Sequence, residues 1–174
     1  MRTISRVPLI AAVSAALVGS VALPASAAPT ADSTVTVEVP VGTLSISAPA
    51  TAALGTVTPG ASASVGLTGV QITDDRAGVT GWSAQVALTD FVGVNAANVI
   101  PATTATYTPQ AATVTGTATV AETPASDLST AKTVQTATAV SGNNTATWNA
   151  NLSVLAPAGA LADTYTATLT HSSL

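Results

Sequence analysis

Residues 82–88 read Trp82-Ser83-Ala84-Gln85-Val86-Ala87-Leu88, with a large or small apolar side chain at every even position. A period of two places Trp82, Ala84, Val86 and Leu88 on one face of an extended segment and Ser83, Gln85 and Ala87 on the other. A helix would scatter the same residues around its circumference. The pattern therefore predicts a half-buried β-strand, and it recurs along the chain. Trp148, Ala150, Leu152 and Val154 form a second clean example. Val114, Gly116, Ala118 and Val120 alternate with Thr113, Thr115, Thr117 and Thr119, and Tyr165, Ala167 and Leu169 alternate with Thr164, Thr166, Thr168 and Thr170. Val35, Val37 and Val39 alternate with Thr34, Thr36 and Glu38, and Leu44 and Ile46 continue the pattern beyond Pro40 and Gly42. Val65 and Leu67 share one parity while Val70 and Ile72 take the other, so a β-bulge is predicted at Gly69 between them.

Turn signals punctuate these segments: Pro59-Gly60, the polar stretch from Asp74 to Gly81, Pro124 to Ser129, Gly142-Asn143-Asn144, and Pro157 to Ala162. Phe91 to Pro109 is less regular. Asn95 and Asn98 suggest a surface loop there, with a short strand at Tyr107. Val134 to Val140 alternates weakly. The alanines of Ala48 to Ala53 favour helix by propensity, but Pro49, Thr51 and Gly55 oppose it. Eight to ten short strands with turns between them predict an all-β fold, an antiparallel β-sandwich of Ig-like or Greek-key type.

The N-terminus carries a different signal. Arg2 and Arg6 precede an apolar run from Val7 to Leu23, Pro24 breaks it, and Ala25-Ser26-Ala27 presents small residues where a signal peptidase reads. Charge, apolar run and small-x-small site together predict a secretory signal-peptide helix over 1–27, cleaved after Ala27. A run of about 17 residues is short for a retained membrane span. The expected organisation is a signal peptide at 1–27, a short tail at 28–33 and a single domain at 34–174.

Without residues 1–27 the chain keeps eight acids and two bases, Arg76 and Lys132, a formal net charge of −6. So few cations cannot neutralise a run of phosphates, which argues against nucleic acid and against electrostatic attachment to anionic lipid. There is no cysteine, so disulfides, thiol catalysis, thiolate metal sites and a lipidated N-terminal Cys are excluded. Uncharged Thr, Ser and Asn must carry the solvated faces, which suits strands because threonine is β-branched. Asn143-Asn144-Thr145 and Asn151-Leu152-Ser153 match the N-glycosylation pattern, a signal relevant only in a host with that machinery.

The candidate chemistry is sparse. His171 is the single histidine and shares the parity of Tyr165, Ala167 and Leu169. A catalytic base needs an orienting acid and a nucleophile, and zinc needs about three protein ligands. Neither set surrounds His171 in the sequence, so it reads as a packed or edge histidine. Asp74-Asp75-Arg76 is the densest charge cluster. Adjacent aspartates on a strand point to opposite faces, poor geometry for a glycosidic acid–base pair. The remaining acids of a calcium loop are missing. A turn in which Arg76 pairs with one aspartate is the simpler reading. Trp82, Trp148, Tyr107 and Tyr165 could form a platform for a sugar ring, but the tryptophans and Tyr165 lie on the apolar parity, which favours core packing. Tyr107 is the least determined of the four.

Several segments together resemble the WxL domain of Gram-positive surface proteins, from about Leu54-Gly55-Thr56-Val57-Thr58-Pro59-Gly60 to the C-terminus. The resemblance is carried by Val70-Gln71-Ile72-Thr73-Asp74-Asp75-Arg76, by Thr80-Gly81-Trp82, and by Ala162-Asp163-Thr164-Tyr165-Thr166-Ala167-Thr168-Leu169-Thr170. The chain departs from the family at both Trp-x-Leu motifs: it has Trp82-Ser83-Ala84 at the first and His171-Ser172-Ser173 at the second. The resemblance implies a secreted, all-β, non-enzymatic domain that associates with peptidoglycan or another cell-wall polymer. Asp74, Asp75, Arg76, Trp82, Tyr165 and His171 are the candidate motif or wall-contacting residues. No catalytic, cofactor or metal residue is expected.

Three functions follow as expectations. The first is an extracellular domain held non-covalently on the cell wall, since no Leu-Pro-x-Thr-Gly signal, apolar tail or lipobox is present. The second is a structural or adhesive subunit that assembles with itself or another surface protein by strand addition, with Val35 to Val39 as the donated element. The third, a hydrolase of wall sugars, would have to draw on Asp74, Asp75, Asp90 or Asp163, and nothing in the spacing pairs any two of them.

Overall fold

The computed structural model describes residues 29–174, so the signal-peptide helix expected over 1–27 lies outside the described residues. The chain divides into two units, Met1–Glu38 and Val39–Leu174. In the first, residues 29–38 contain no strand, and Val35 and Val37 are 89% and 88% exposed. The strand expected at Val35 to Val39 is therefore not formed. Its alternation is intact, but a strand needs a neighbour to satisfy its backbone, and among the described residues none pairs with it.

The second unit is nearly all β. Its strands are β1 (Leu44–Ser47), β2 (Ser62–Asp74), β3 (Trp82–Leu88), β4 (Phe91–Gly93), β5 (Val99–Ile100), β6 (Ala105–Pro109), β7 (Thr113–Glu122), β8 (Ala125–Ser126), β9 (Lys132–Leu155), β10 (Tyr165–Thr166) and β11 (Leu169–Ser173). A single 3-10 turn, Ala102–Thr104, lies between β5 and β6 among the described residues. Eight strands form one antiparallel, nearly closed sheet, and β10, β4 and β5 form a second.

The spine of the large sheet is β9, 24 residues long. One edge of β9 pairs with β3 through Lys132–Ala137 and then with β2 through Asn144–Leu155. The other pairs with β7 and then, through Ala150–Val154, with β6. β1 lines the far edge of β2, and β11 the far edge of β3. The predicted turn at Gly142-Asn143-Asn144 is thus replaced by continuous strand. The residues that signal a turn instead bend the spine: Ala139 and Gly142 both have positive φ, and the register with β7 shifts on either side of Thr117. The inward parity changes there, from Gln135 and Ala137 to Val140, Asn144 and Ala146. That change is why Val134 to Val140 alternates weakly in sequence.

The bulge predicted at Gly69 is present. Gly69 has φ of 74°, the register with β9 shifts between Leu67 and Val70, and all three of Leu67, Val70 and Ile72 are buried. An inserted residue restores inward pointing for the second half of β2. Trp82, Ala84, Val86 and Leu88 are buried as expected, as are Trp148, Ala150, Leu152 and Val154. The closing Tyr-Thr segment is two strands rather than one: β10 joins the small sheet through β4, while β11 joins the large one through β3. The less regular stretch from Phe91 to Pro109 contributes β4 and β5, the short strand expected at Tyr107 as β6, and four core residues, Ile100, Ala102, Ala105 and Tyr107. Leu128, inside the segment predicted as a loop, is completely buried. Each large side chain taken from water stabilises the fold by about 1.5–3 kcal/mol.

Candidate functional site

Three polar arrangements sit against this core. The first joins the end of β2, the turn after it, the start of β3 and the bend of β9. Asp74 is the last residue of β2 and is 2% exposed. The Arg76 guanidinium grips it with two bonds, Nε to Oδ1 at 2.8 Å and Nη2 to Oδ2 at 3.0 Å, and the Arg76 backbone N–H adds a third at 3.1 Å. These bonds hold the Asp74 carboxyl below its usual range against the opposing effect of burial. Arg76 Nη2 also donates to the carbonyls of Thr80 and Gly81, which closes the turn onto itself. On the inner side, Trp82 Nε1 donates to Asn144 Oδ1 at 3.0 Å. The Asn144 amide in turn donates to Gly142 O at 3.3 Å, with Asp74 Oδ2 at 3.5 Å. Gly81 is required by close approach: a Cβ there would lie 2.4 Å from the Ala137 carbonyl oxygen.

The sequence brought Asp74, Arg76 and Trp82 together as a motif, and the structure brings them together in space. It places them as an internal clasp between β2, β3 and β9. Asp75, one residue past the end of β2, is exposed. Asn144 completes the clasp and is not recognisable from sequence, because a Gly-Asn-Asn signal reads as a solvent-facing turn.

The second arrangement is a chain of three rings. Trp148 Nε1 donates to Tyr107 Oη at 3.3 Å, and Tyr107 Oη lies 3.3 Å from His171 Nε2. The tyrosine hydroxyl accepts from the tryptophan, and its bond with His171 Nε2 runs in the direction set by the imidazole tautomer. The Tyr107 and His171 rings meet edge to face, with centroids 5.7 Å apart. Burial pushes the Tyr107 hydroxyl up to about 12 and pushes His171 below its ordinary value. Tyr107, the least determined aromatic in the sequence, is fully buried. His171 is half-buried and packed, as its parity indicated.

The third arrangement is at the surface. A groove of 450 Å³ runs between the segment before β2 and the segment before β10, floored by Leu54, Val57, Phe91, Ile100 and Val154, with Tyr165 in its wall. Its rim carries Thr56, Thr164 and Asp163. The Asp163 carboxylate accepts from the backbone N–H groups of Val94 (3.2 Å), Asn95 (3.0 Å) and Thr164 (2.7 Å) and from Asn98 Nδ2 (2.9 Å). Those donors lower its pKa and anchor the 94–98 loop beside the groove. Tyr165 is half-buried, and its hydroxyl donates to the Leu161 carbonyl at 2.8 Å. A second recess of 340 Å³, lined by Leu67, Leu88, Leu169 and His171, shares Leu54 and Phe91 with the first.

Three of the four carboxylates that a hydrolase would draw on are hydrogen-bonded within the fold, and Asp75 is exposed. Asp74 is held by Arg76, Asp163 by its loop, and Asp90 Oδ1 accepts the Ala102 N–H at 2.8 Å. Of the six residues singled out in the sequence, Tyr165 alone lines the 450 Å³ groove, and His171 lines the 340 Å³ recess. No helix among the described residues is long and apolar enough to cross a membrane. A scan against protein-family models gives no match, and a comparison with curated proteins gives none either.

Proposed function

We propose that this chain is a secreted, non-enzymatic, WxL-like domain that associates non-covalently with the bacterial cell wall, its two sheets arranged as a β-sandwich of Ig-like or Greek-key type. The groove beside Tyr165 carries the proposal. It has an apolar floor, two half-buried aromatic rings, Phe91 and Tyr165, and a rim of hydroxyls, and its single carboxylate already accepts four hydrogen bonds. Such a surface suits a neutral, hydroxyl-rich polymer such as a peptidoglycan glycan strand, whose sugar faces stack on aromatic rings and whose hydroxyls meet threonine. The Asp74–Arg76–Trp82 motif serves this role indirectly, by holding β2, β3 and β9 together beneath the surface.

Co-sedimentation with purified peptidoglycan tests the proposal. The wild-type chain is expected in the pellet, and Tyr165→Ala and Leu161→Glu in the supernatant while both still melt cooperatively. A wild-type chain wholly in the supernatant, or both variants pelleting like wild type, overturns it.

A second reading, a structural subunit that assembles by strand addition, is favoured by one specific observation. Val35, Val37, Val39 and Val41 keep a strand-like alternation and are 79–95% exposed.

A further inference from the structure

We infer that Thr34–Val39 of one copy of this chain adds as an extra strand to the outer edge of β7 in a second copy, along Thr117–Glu122. The inference rests on the strand-addition reading and names both halves of the joint.

The donor is defined by its own chemistry. Thr34-Val35-Thr36-Val37-Glu38-Val39 is six residues of β-prone sequence with valine at alternate positions and one charge. Pro40 follows, and with no N–H to give it ends any ladder at Val39. Valines left in water at every second position cost the chain the burial that the same pattern gains in β3.

The acceptor is selected by length and regularity among the open edges: among the described residues the outer edge of β2 is also unpaired from Ser62 to Val70, but Gly66 and the bulge at Gly69 interrupt that stretch. β7 is ten residues long, and among the described residues it pairs with β9 alone, so its whole outer edge is open. The open edges of β5 and β8 are two residues long. β1 is four residues long and approaches β11. The register of β7 shifts between Gly116 and Thr119, and the acceptor run Thr117–Glu122, which includes the end of that shift, reads Thr-Ala-Thr-Val-Ala-Glu, six residues with one terminal charge. Native edges are normally guarded by lysine, proline, inward charge or a bulge, and of these this one has only the irregularity at Gly116–Thr119 before Glu122.

The faces also match. On β7, Ala118 and Val120 are half-buried against the core, while Thr117, Thr119 and Ala121 face out. Directly opposed residues of paired strands share a face. A donor with Val35, Val37 and Val39 on the core side would cover the exposed flank of Ala118 and Val120. It would leave Thr34, Thr36 and Glu38 in the outer threonine layer. A donor on one copy and an acceptor on the next make a head-to-tail joint, which builds rings or filaments rather than a closed two-fold dimer.

The test uses full chains, residues 1–27 retained in every variant. Sedimentation velocity across a concentration series should show the wild type assembling and Val37→Pro remaining monomeric. The chain has no cysteine of its own, so single exposed cysteines report proximity without threatening the fold. A tagged Thr36→Cys chain mixed with untagged Thr119→Cys or Ala121→Cys should give a tagged–untagged disulfide dimer on mild oxidation. The control Ser64→Cys, exposed on β2, should give none. A wild type monomeric at every concentration refutes strand addition altogether. Assembly abolished by Val37→Pro, but with cross-linking no better at β7 than at Ser64→Cys, leaves strand addition standing and refutes β7 as its acceptor. Assembly unaffected by Val37→Pro refutes the donor.

Discussion

Replacing Asn144 by leucine tests the claim that the Asp74–Arg76–Trp82–Asn144 clasp is an internal fastening. Asn144 is 3% exposed, and its side chain accepts from Trp82 Nε1 at 3.0 Å while donating to Gly142 O at 3.3 Å. Leucine has the same number and branching of side-chain heavy atoms, with bulkier methyl groups, so no cavity is created and the main cost is the lost hydrogen bonds. Trp82 is 3% exposed, so its indole N–H would be stranded in the core at about 1–3 kcal/mol. The orphaned Gly142 carbonyl sits in a half-buried position where water can reach it, so it adds a smaller amount. Asp74 keeps its three bonds to Arg76 and should change little. The expected destabilisation is about 2–3 kcal/mol, a large part of the margin of a domain this size. Trp82→Phe strands the other partner, Asn144 Oδ1, and adds the loss of packed ring surface. Combining the two removes donor and acceptor together, so the double variant should be about 1–2 kcal/mol more stable than the sum of the single costs predicts. Urea denaturation followed by far-ultraviolet circular dichroism reads this directly, provided the slope with denaturant stays constant. Costs that add to within about 0.5 kcal/mol, or Asn144→Leu costing less than about 0.5 kcal/mol, would refute the clasp as described.

Four further outcomes are expected. His171 has a folded pKa below its unfolded value of 6.5 because burial disfavours its charge. The unfolded chain therefore binds the extra proton first, and stability should be full above about pH 6.5 and fall as pH drops toward the folded pKa. Urea midpoints for the wild type should show this fall, and His171→Gln should be flat over the same window. Asp74 is the acid counterpart: its folded pKa lies below 3.8, so its contribution is present above that pH and is lost as pH falls further. Asp74→Asn should lower stability at neutral pH and lose less of what remains on acidification, read by acid denaturation monitored by tryptophan fluorescence. Asp163→Ala should speed amide hydrogen exchange at Val94, Asn95 and Thr164 and leave exchange in β9 unchanged. Gly81→Ala forces a Cβ to within 2.4 Å of a strand carbonyl, and its thermal midpoint should drop by several degrees, about the effect of 1 kcal/mol or more.

Much of the fold was legible because its rule is local. Alternation needs no knowledge of the partner strand, so Trp82–Leu88, Trp148–Val154 and the parity change across Gly69 all read correctly. The failures share a cause. Gly142-Asn143-Asn144 and Val35–Val39 carry strong local signals, a turn and a strand, that the chain does not follow. In the first, long-range pairing of β9 with β2 and β7 outweighs turn propensity and uses the glycine as a bend. In the second, propensity has no neighbour to act with. For the candidate site, the Asp74–Arg76 pair was foreseeable from two-residue spacing. Asn144, 62 positions from Trp82, and the Asp163 bonds to a loop some 65 positions earlier were not, because nothing in a single sequence encodes which distant segments meet.

The amino-acid sequence alone determined that this chain has no disulfide, carries few cations, and repeats a two-residue period that can bury only one face of each segment. Those properties follow from composition and backbone geometry and hold whatever the topology. The tertiary structure alone decided which strand became the spine, that the Asp-Arg-Trp motif faces inward, and that Tyr165 borders a groove. Such matters depend on pairings between segments dozens of residues apart, where the free energy of a contact is set by a partner that local sequence does not name.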